Sequence, residues 1–343
     1  MLADTALAVM WVGLTCYAVF GGADFGAGVW DLLAGGTRRG QAQRHLIEHS
    51  IGPIWEANHV WLIFVIVLLW SAFSPVFAAV MSTLYLPLTL AALGIIARGA
   101  AFAFRKASTE LWQQRLFGAC FALSSLITPF FLGTVAGGVA SGRVPPGLAE
   151  GNIITSWLNP TSLLGGILAV LTCAHLAAVY LCADAAREED TALASVFARR
   201  ATISGLASGA VACAGIAVLH ADAPQLFYGL THRALPLVIL SAIAGLTGLA
   251  LLNRRRYVLA RPAAALAVAA ILWAWGAAQY PAMLVGSTTV RQAASGSSVL
   301  SACLVVLAVG AVLLIPSLWL LYATFQRHAP AASEAHSRPP ASH

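Results

Sequence analysis

The chain has 343 residues, 59% of them hydrophobic and 9% charged, against about 25% charged in an average soluble domain. Its mean hydropathy is +0.82, which excludes a soluble globular enzyme, a disordered protein and a disulfide scaffold. The net charge of +6 raises nucleic-acid binding, but the basic residues sit where membrane topology signals sit, so no nucleic-acid partner is expected.

Nine apolar runs are each long enough for a hydrocarbon core of roughly 30 Å. They fall at about 6–33, 53–74, 76–97, 116–140, 160–183, 201–220, 234–252, 263–282 and 299–324. The fold class is therefore an all-α polytopic membrane protein with nine transmembrane helices. No Lys or Arg precedes Arg38 and Asp4 is acidic, so the first run reads as a true span rather than a cleavable signal. With the N-terminus outside, sixteen of the nineteen basic residues fall on one side of the nine spans. That bias sets the N-terminus out and the C-terminus in the cytoplasm. Residues 1–326 then form the transmembrane domain, and the Pro-, Ala- and Ser-rich segment 327–343 reads as a disordered cytoplasmic tail.

Span one carries Gly21-Gly22-Ala23-Asp24-Phe25-Gly26-Ala27-Gly28. Its glycines suit either close helix contact or a local helix break. An ionisable group inside a bilayer is costly, and so marks a candidate site. Asp24 is either reached by water or a partner, or is satisfied by a neighbouring backbone group or Arg.

Span two opens on Gly52-Pro53-Ile54-Trp55-Glu56-Ala57-Asn58-His59-Val60-Trp61-Leu62. Pro53 suits a first helical turn. Glu56 then lies near the cytoplasmic end, with His59 three residues on along the same face. Such a pair can exchange a proton near neutral pH. An acid near a helix N-terminus is also favoured by the macrodipole alone.

Arg98, at the end of span three, is expected to snorkel to the cytoplasmic interface. Pro87, Pro129, Pro236 and Pro316 are expected to kink their spans. Asp184, Arg187, Glu188, Glu189 and Asp190 read as a solvated mixed-charge loop. The six cysteines form no CxxC pair and read as small buried hydrophobes, with no metal site. Of nine histidines, His59 and His175 lie within spans. They leave open a bis-His haem site, although a lone intramembrane histidine is more often packing. No P-loop or dinucleotide fingerprint is present.

The motifs around Asp24 and Glu56 resemble those of subunit II of the bacterial cytochrome bd-type quinol oxidases. Arg98, Asn159-Pro160 and Tyr280-Pro281 add to the likeness, which runs over about residues 1–327. The resemblance implies two four-helix bundles, at about 1–140 and 160–282, plus one additional helix at about 299–324. It implies a heterodimer with a haem-bearing subunit I, which carries haem b, haem d and the quinol site. The complex oxidises ubiquinol or menaquinol and reduces O₂ to water in the bacterial cytoplasmic (inner) membrane. Subunit II itself binds no haem in this family, so neither catalytic residues nor a cofactor is expected on this chain. Lipid, a bound quinone and small single-span subunits are further partners that the resemblance suggests.

The resemblance also implies a proton path with Glu56 at its cytoplasmic mouth and Asp24 and His59 as further candidates. The family segment commonly has two acids, and here Gly21 replaces the first. Two alternatives of other classes are a proton-coupled secondary transporter and a membrane cytochrome ligating haem through His59 and His175.

Overall fold

The structure, a computed structural model, describes residues 1–35, 40–51, 55–108 and 110–327. It is mostly helical. Helix α1 (Leu2–Cys16) passes through a π turn (Tyr17–Gly21) into α2 (Gly22–Leu32). These act as one 31-residue apolar span. The glycine-rich segment therefore does not break the helix. It continues it, and its small residues serve close packing instead. The short helix α3 (Gln41–Ile51) follows, then α4 (Trp55–Ala72), α5 (Ser74–Thr83), α6 (Tyr85–Ala107), α7 (Leu111–Ala140) and α8 (Pro160–Arg187).

The second half holds α9 (Thr191–Asp222), α10 (Pro224–Tyr228), a second π turn (Gly229–Arg233), α11 (Leu235–Asn253) and α12 (Tyr257–Gln279). A small antiparallel hairpin, β1 (Ala282–Leu284) and β2 (Thr288–Thr289), leads to α13 (Val290–Ala293) and α14 (Ser297–Arg327).

Among the described residues, eight helices are long and apolar enough to cross a membrane. A ninth crossing is made if the bent pair Asn58–Ala72 and Ser74–Thr83 counts as one span. The two arms of that pair meet at 119°. This corrects the expected third span at about 76–97. The apolar run there is divided between α5 and α6 by corners at Phe73 and Leu84, and the long helix starts at Tyr85. The expected span at about 263–282 likewise starts earlier and ends at Gln279, just before Tyr280-Pro281. Pro236 sits at the start of α11, where its missing N–H costs nothing, rather than at a kink. Pro129 and Pro316 do lie inside helices.

The corner recurs. Phe73 has φ −137° and ψ 51°, and Ala223 has φ −136° and ψ 61°. Leu84 and Ala234, each eleven residues further on, have φ of −102° and −103°. A long helix, a ten-residue turned segment and another long helix thus repeat in the two halves of the chain.

Small residues set how closely the helices approach. A Cβ on Gly26 would lie 1.8 Å from the Cys173 carbonyl oxygen, so α2 lies backbone-to-backbone against α8. Gly133 and Gly165 oppose each other in the same way between α7 and α8. Helix α8 packs against α2, α7, α9 and α12 and carries much of the main core: Leu176, Ala177, Ala178, Val179, Leu181 and Cys182. It opens as the sequence suggests. The Asn159 side chain accepts a hydrogen bond from Ser162 N, and Pro160 takes the first helical position.

Helix α4 runs antiparallel to α1. Phe64 lies against Gly13, and Asn58 Nδ2 donates to the Phe20 carbonyl at 3.3 Å. This register puts the backbone of Glu56 level with Gly21–Gly22. Helix α2 therefore continues ten residues, about 15 Å, past the level at which α4 begins.

Candidate functional site

Asp24 lies in the first turn of α2 and is 5% exposed. Arg98, in the middle of α6, is 2% exposed. Its Nη1 donates to Asp24 Oδ2 at 2.8 Å and its Nη2 to Oδ1 at 2.6 Å. Nη2 also donates to the Asp24 carbonyl at 3.0 Å. Nε donates to Ser125 Oγ on α7 at 2.9 Å, and that hydroxyl donates to the Phe121 carbonyl. The guanidinium is sandwiched between the rings of Phe25 and Phe121, at 4.9 and 4.7 Å from their centroids.

Arg98 therefore does not snorkel. A bidentate carboxylate held this close offsets the desolvation that interfacial water would otherwise relieve. Of the two readings of Asp24, pairing with an Arg is the one observed.

A second pair repeats the first. Asp31 follows Asp24 by seven residues and Arg105 follows Arg98 by seven, so α2 and α6 run parallel with two ion pairs between them. Arg105 Nη1 donates to Asp31 Oδ2 at 3.0 Å. Its Nη2 lies 3.2 Å from Glu48 on α3, and Arg44 Nε lies 3.3 Å from Asp31 Oδ1. Asp31 was not singled out from the sequence. The shared seven-residue spacing of 24/31 and 98/105 was the signal that could have found it.

Glu56 falls in the first turn of α4, and its side chain lies outside what is described, as does Pro53. His59 is half-buried one turn further along. Helix α4 itself packs on α1, the first π turn, α5 and α14. His175 packs toward α9. Its Nδ1–H donates to the Ala201 carbonyl on α9 at 2.9 Å, and its ring rests on Gly205. These contacts account for His175 as a packing residue between α8 and α9. Among the described residues no three His, Cys, Asp or Glu side chains gather in a metal-binding group.

Two further pairs hold the helix ends. Asp184, expected in a solvated loop, lies within α8 and pairs with Arg261 of α12. Asp222, at the end of α9, accepts from Arg143 Nη1 and Nη2 at 2.9 and 2.6 Å and from Thr161 N and Oγ1. These bonds hold the Arg143 guanidinium above its ordinary pKa range.

The sequence model of the family described as "Cytochrome bd terminal oxidase subunit II" matches residues 2–325. The chain belongs to that family. The "Cytochrome bd ubiquinol oxidase subunit 2" of Bacillus subtilis (strain 168) is 31% identical over 170 residues, 49% of this chain and 48% of that protein. The "Cytochrome bd-I ubiquinol oxidase subunit 2" of Escherichia coli (strain K12) is 29% identical over 172 residues, 48% of this chain and 44% of that protein. The aligned stretch thus spans about half the length of these curated relatives.

A chain in the structure of the bd oxidase from Geobacillus thermodenitrificans superimposes with a TM-score of 0.75 at 25% identity. It covers 95% of this chain and 99% of that one. In this subunit II chain, the Asp24–Arg98 and Asp31–Arg105 pairs both fall inside the matched residues 2–325.

Proposed function

We propose that this chain is the haem-free subunit II of a cytochrome bd-type quinol:O₂ oxidoreductase in the bacterial cytoplasmic membrane. In this reading it supports a haem-bearing subunit I and lines a cytoplasmic proton path to the O₂-reduction site. The N-terminus is outside and the C-terminus cytoplasmic. The domain covers residues 1–326, with two four-helix bundles and the additional helix α14, followed by a cytoplasmic tail. Haem b and haem d reside on subunit I, and ubiquinol or menaquinol is the electron donor. Lipid, a bound quinone and small single-span subunits complete the complex.

The observation that carries the proton role is the placement of carboxylates in an otherwise apolar domain. Asp24 is fixed and fully bonded in the core. The Glu56 backbone is level with Gly21–Gly22, about one turn from Asp24. Such groups are expensive in a membrane domain, and their presence calls for a role. The Asp24 carboxylate, bonded at both oxygens by Arg98, fixes the geometry at this level of the span. Glu56 takes and releases the proton, and His59, at i+3, is placed to share it.

The test is Glu56→Gln in the purified complex. Slower quinol-driven O₂ uptake with full haem content supports the reading. Unchanged turnover across the pH range removes Glu56 from the path.

A further inference from the structure

We propose that Asp31, rather than Glu56, is the cytoplasmic intake of the proton path, with the solvent-facing Glu48, held beside it by the shared Arg105, marking its access to water. This inference rests on the proton-path reading above. Asp31 sits in the last turn of α2 and is 5% exposed. That end of a helix carries partial negative charge, so a buried carboxylate there is electrostatically disfavoured. Helix stability does not account for it, and two arginines are recruited to hold it.

The hydrogen bonding is uneven. Oδ2 accepts from Arg105, whereas Oδ1 is buried and accepts no hydrogen bond among the described residues, although Arg44 Nε is 3.3 Å away. A buried carboxylate oxygen that accepts no hydrogen bond is a place for a water. On the outer side of the pair, Glu48 is 45% exposed and shares Arg105 with Asp31. A carboxylate in contact with solvent is thus one guanidinium away from a buried one.

Inward, the next polar group is already positioned. Asp31 and Asp24 are about 10.5 Å apart along the helix, and Gly28 lies between them. A Cβ on Gly28 would sit 2.2 Å from Ser125 Oγ. Glycine there lets the Ser125 hydroxyl lie against the α2 backbone between the two acids. That hydroxyl is the one that accepts from Arg98 Nε, so it links directly to the Asp24 pair.

Depth decides the order. The Glu56 backbone is level with Gly21–Gly22, nine to ten residues deeper along the first span than Asp31. Protons from the cytoplasm reach Asp31 first, then the Ser125 region, then the level shared by Asp24 and Glu56.

The test uses the purified oxidase complex carrying this chain. Asp31→Asn is expected to slow quinol-driven O₂ uptake about fivefold or more with an unchanged haem spectrum, since positioned proton donors contribute large factors. It should also raise the solvent deuterium isotope effect, and acetate should partly restore turnover. Asp31→Glu should recover most of the rate. Glu48→Gln, at a partly exposed position that tolerates change, should slow turnover about twofold. Leu46→Ala, which loosens the docking of α3 without touching a charge, should lower the melting temperature and leave turnover per haem unchanged.

Wild-type turnover in Asp31→Asn, with Glu56→Gln slowed, would overturn Asp31 as the intake and leave the proton-path reading standing. Wild-type turnover in both would overturn both. Slowed turnover in Asp31→Asn without an isotope effect or acetate rescue would make Asp31 structural and also overturn the proposal. If Asp31→Asn does not assemble, Glu48→Gln decides, and an unchanged rate there overturns it.

Discussion

Arg98 on α6 closes both carboxylate oxygens of Asp24 on α2, at 2.8 and 2.6 Å, across 74 residues of sequence. The pair is buried, bidentate and flanked by two aromatic rings. This pair, the Gly26 contact and the Asp222 tie each carry an expectation about stability that can be measured without assuming an enzymatic role.

Removing one partner leaves a buried charge. Arg98→Gln and Asp24→Asn should each destabilise the folded chain by about 3–5 kcal/mol, the range for breaking a buried ion pair. The double variant should cost less than the sum of the singles, because neither charge is then stranded. Thermal unfolding in detergent, read by tryptophan fluorescence, reports this. Additive losses would mean that the pair is not energetically coupled.

Gly26 is where α2 touches α8. Gly26→Ala puts a methyl 1.8 Å from a backbone oxygen, so one of the two helices must move. Overpacking costs about 1–3 kcal/mol, and more when backbone must shift. Gly209→Ala meets nothing within 4 Å and should be neutral or slightly stabilising. Equal melting temperatures for the two variants would contradict the close α2–α8 approach.

Asp222 ties three segments at one end of the molecule: the start of α8, the end of α9 and the loop after α7. Asp222→Ala removes the acceptor for Arg143 and for both Thr161 donors. It should cost about 1–3 kcal/mol, reduced by the partial exposure of Arg143. Hydrogen exchange at the Thr161 amide should rise. Unchanged protection there would show that the tie does not hold the α8 N-terminus.

The long apolar runs made most helices legible, and Asn159-Pro160 marked the start of α8 within a residue. The third span went astray because Ser74–Thr83 is as apolar as the helix after it. The corners at Phe73 and Leu84 carry no glycine, and bilayer length alone cannot place a turn inside an apolar run. Asp24 stood out as an acid among glycines. Its partner did not, because a pairing 74 residues apart has no local signature, and an Arg at a span end reads as a snorkelling one. Asp31 was hidden by its place at the end of span one, where acids are common in loops. The glycines carried the right physics in part: they mark close approach, and the helix does not break at them.

The central claim is that this chain works as the subunit II partner of a haem-bearing oxidase subunit. The most direct measurement is a reduced-minus-oxidised visible spectrum of the membrane complex retrieved by a tag on this chain, with quinol-driven O₂ uptake recorded on the same sample. The account predicts b-type and d-type haem bands that travel with a co-purifying subunit, together with O₂ uptake. A stable preparation of this chain with no haem-bearing partner, or haem bands held by this chain alone, would contradict it.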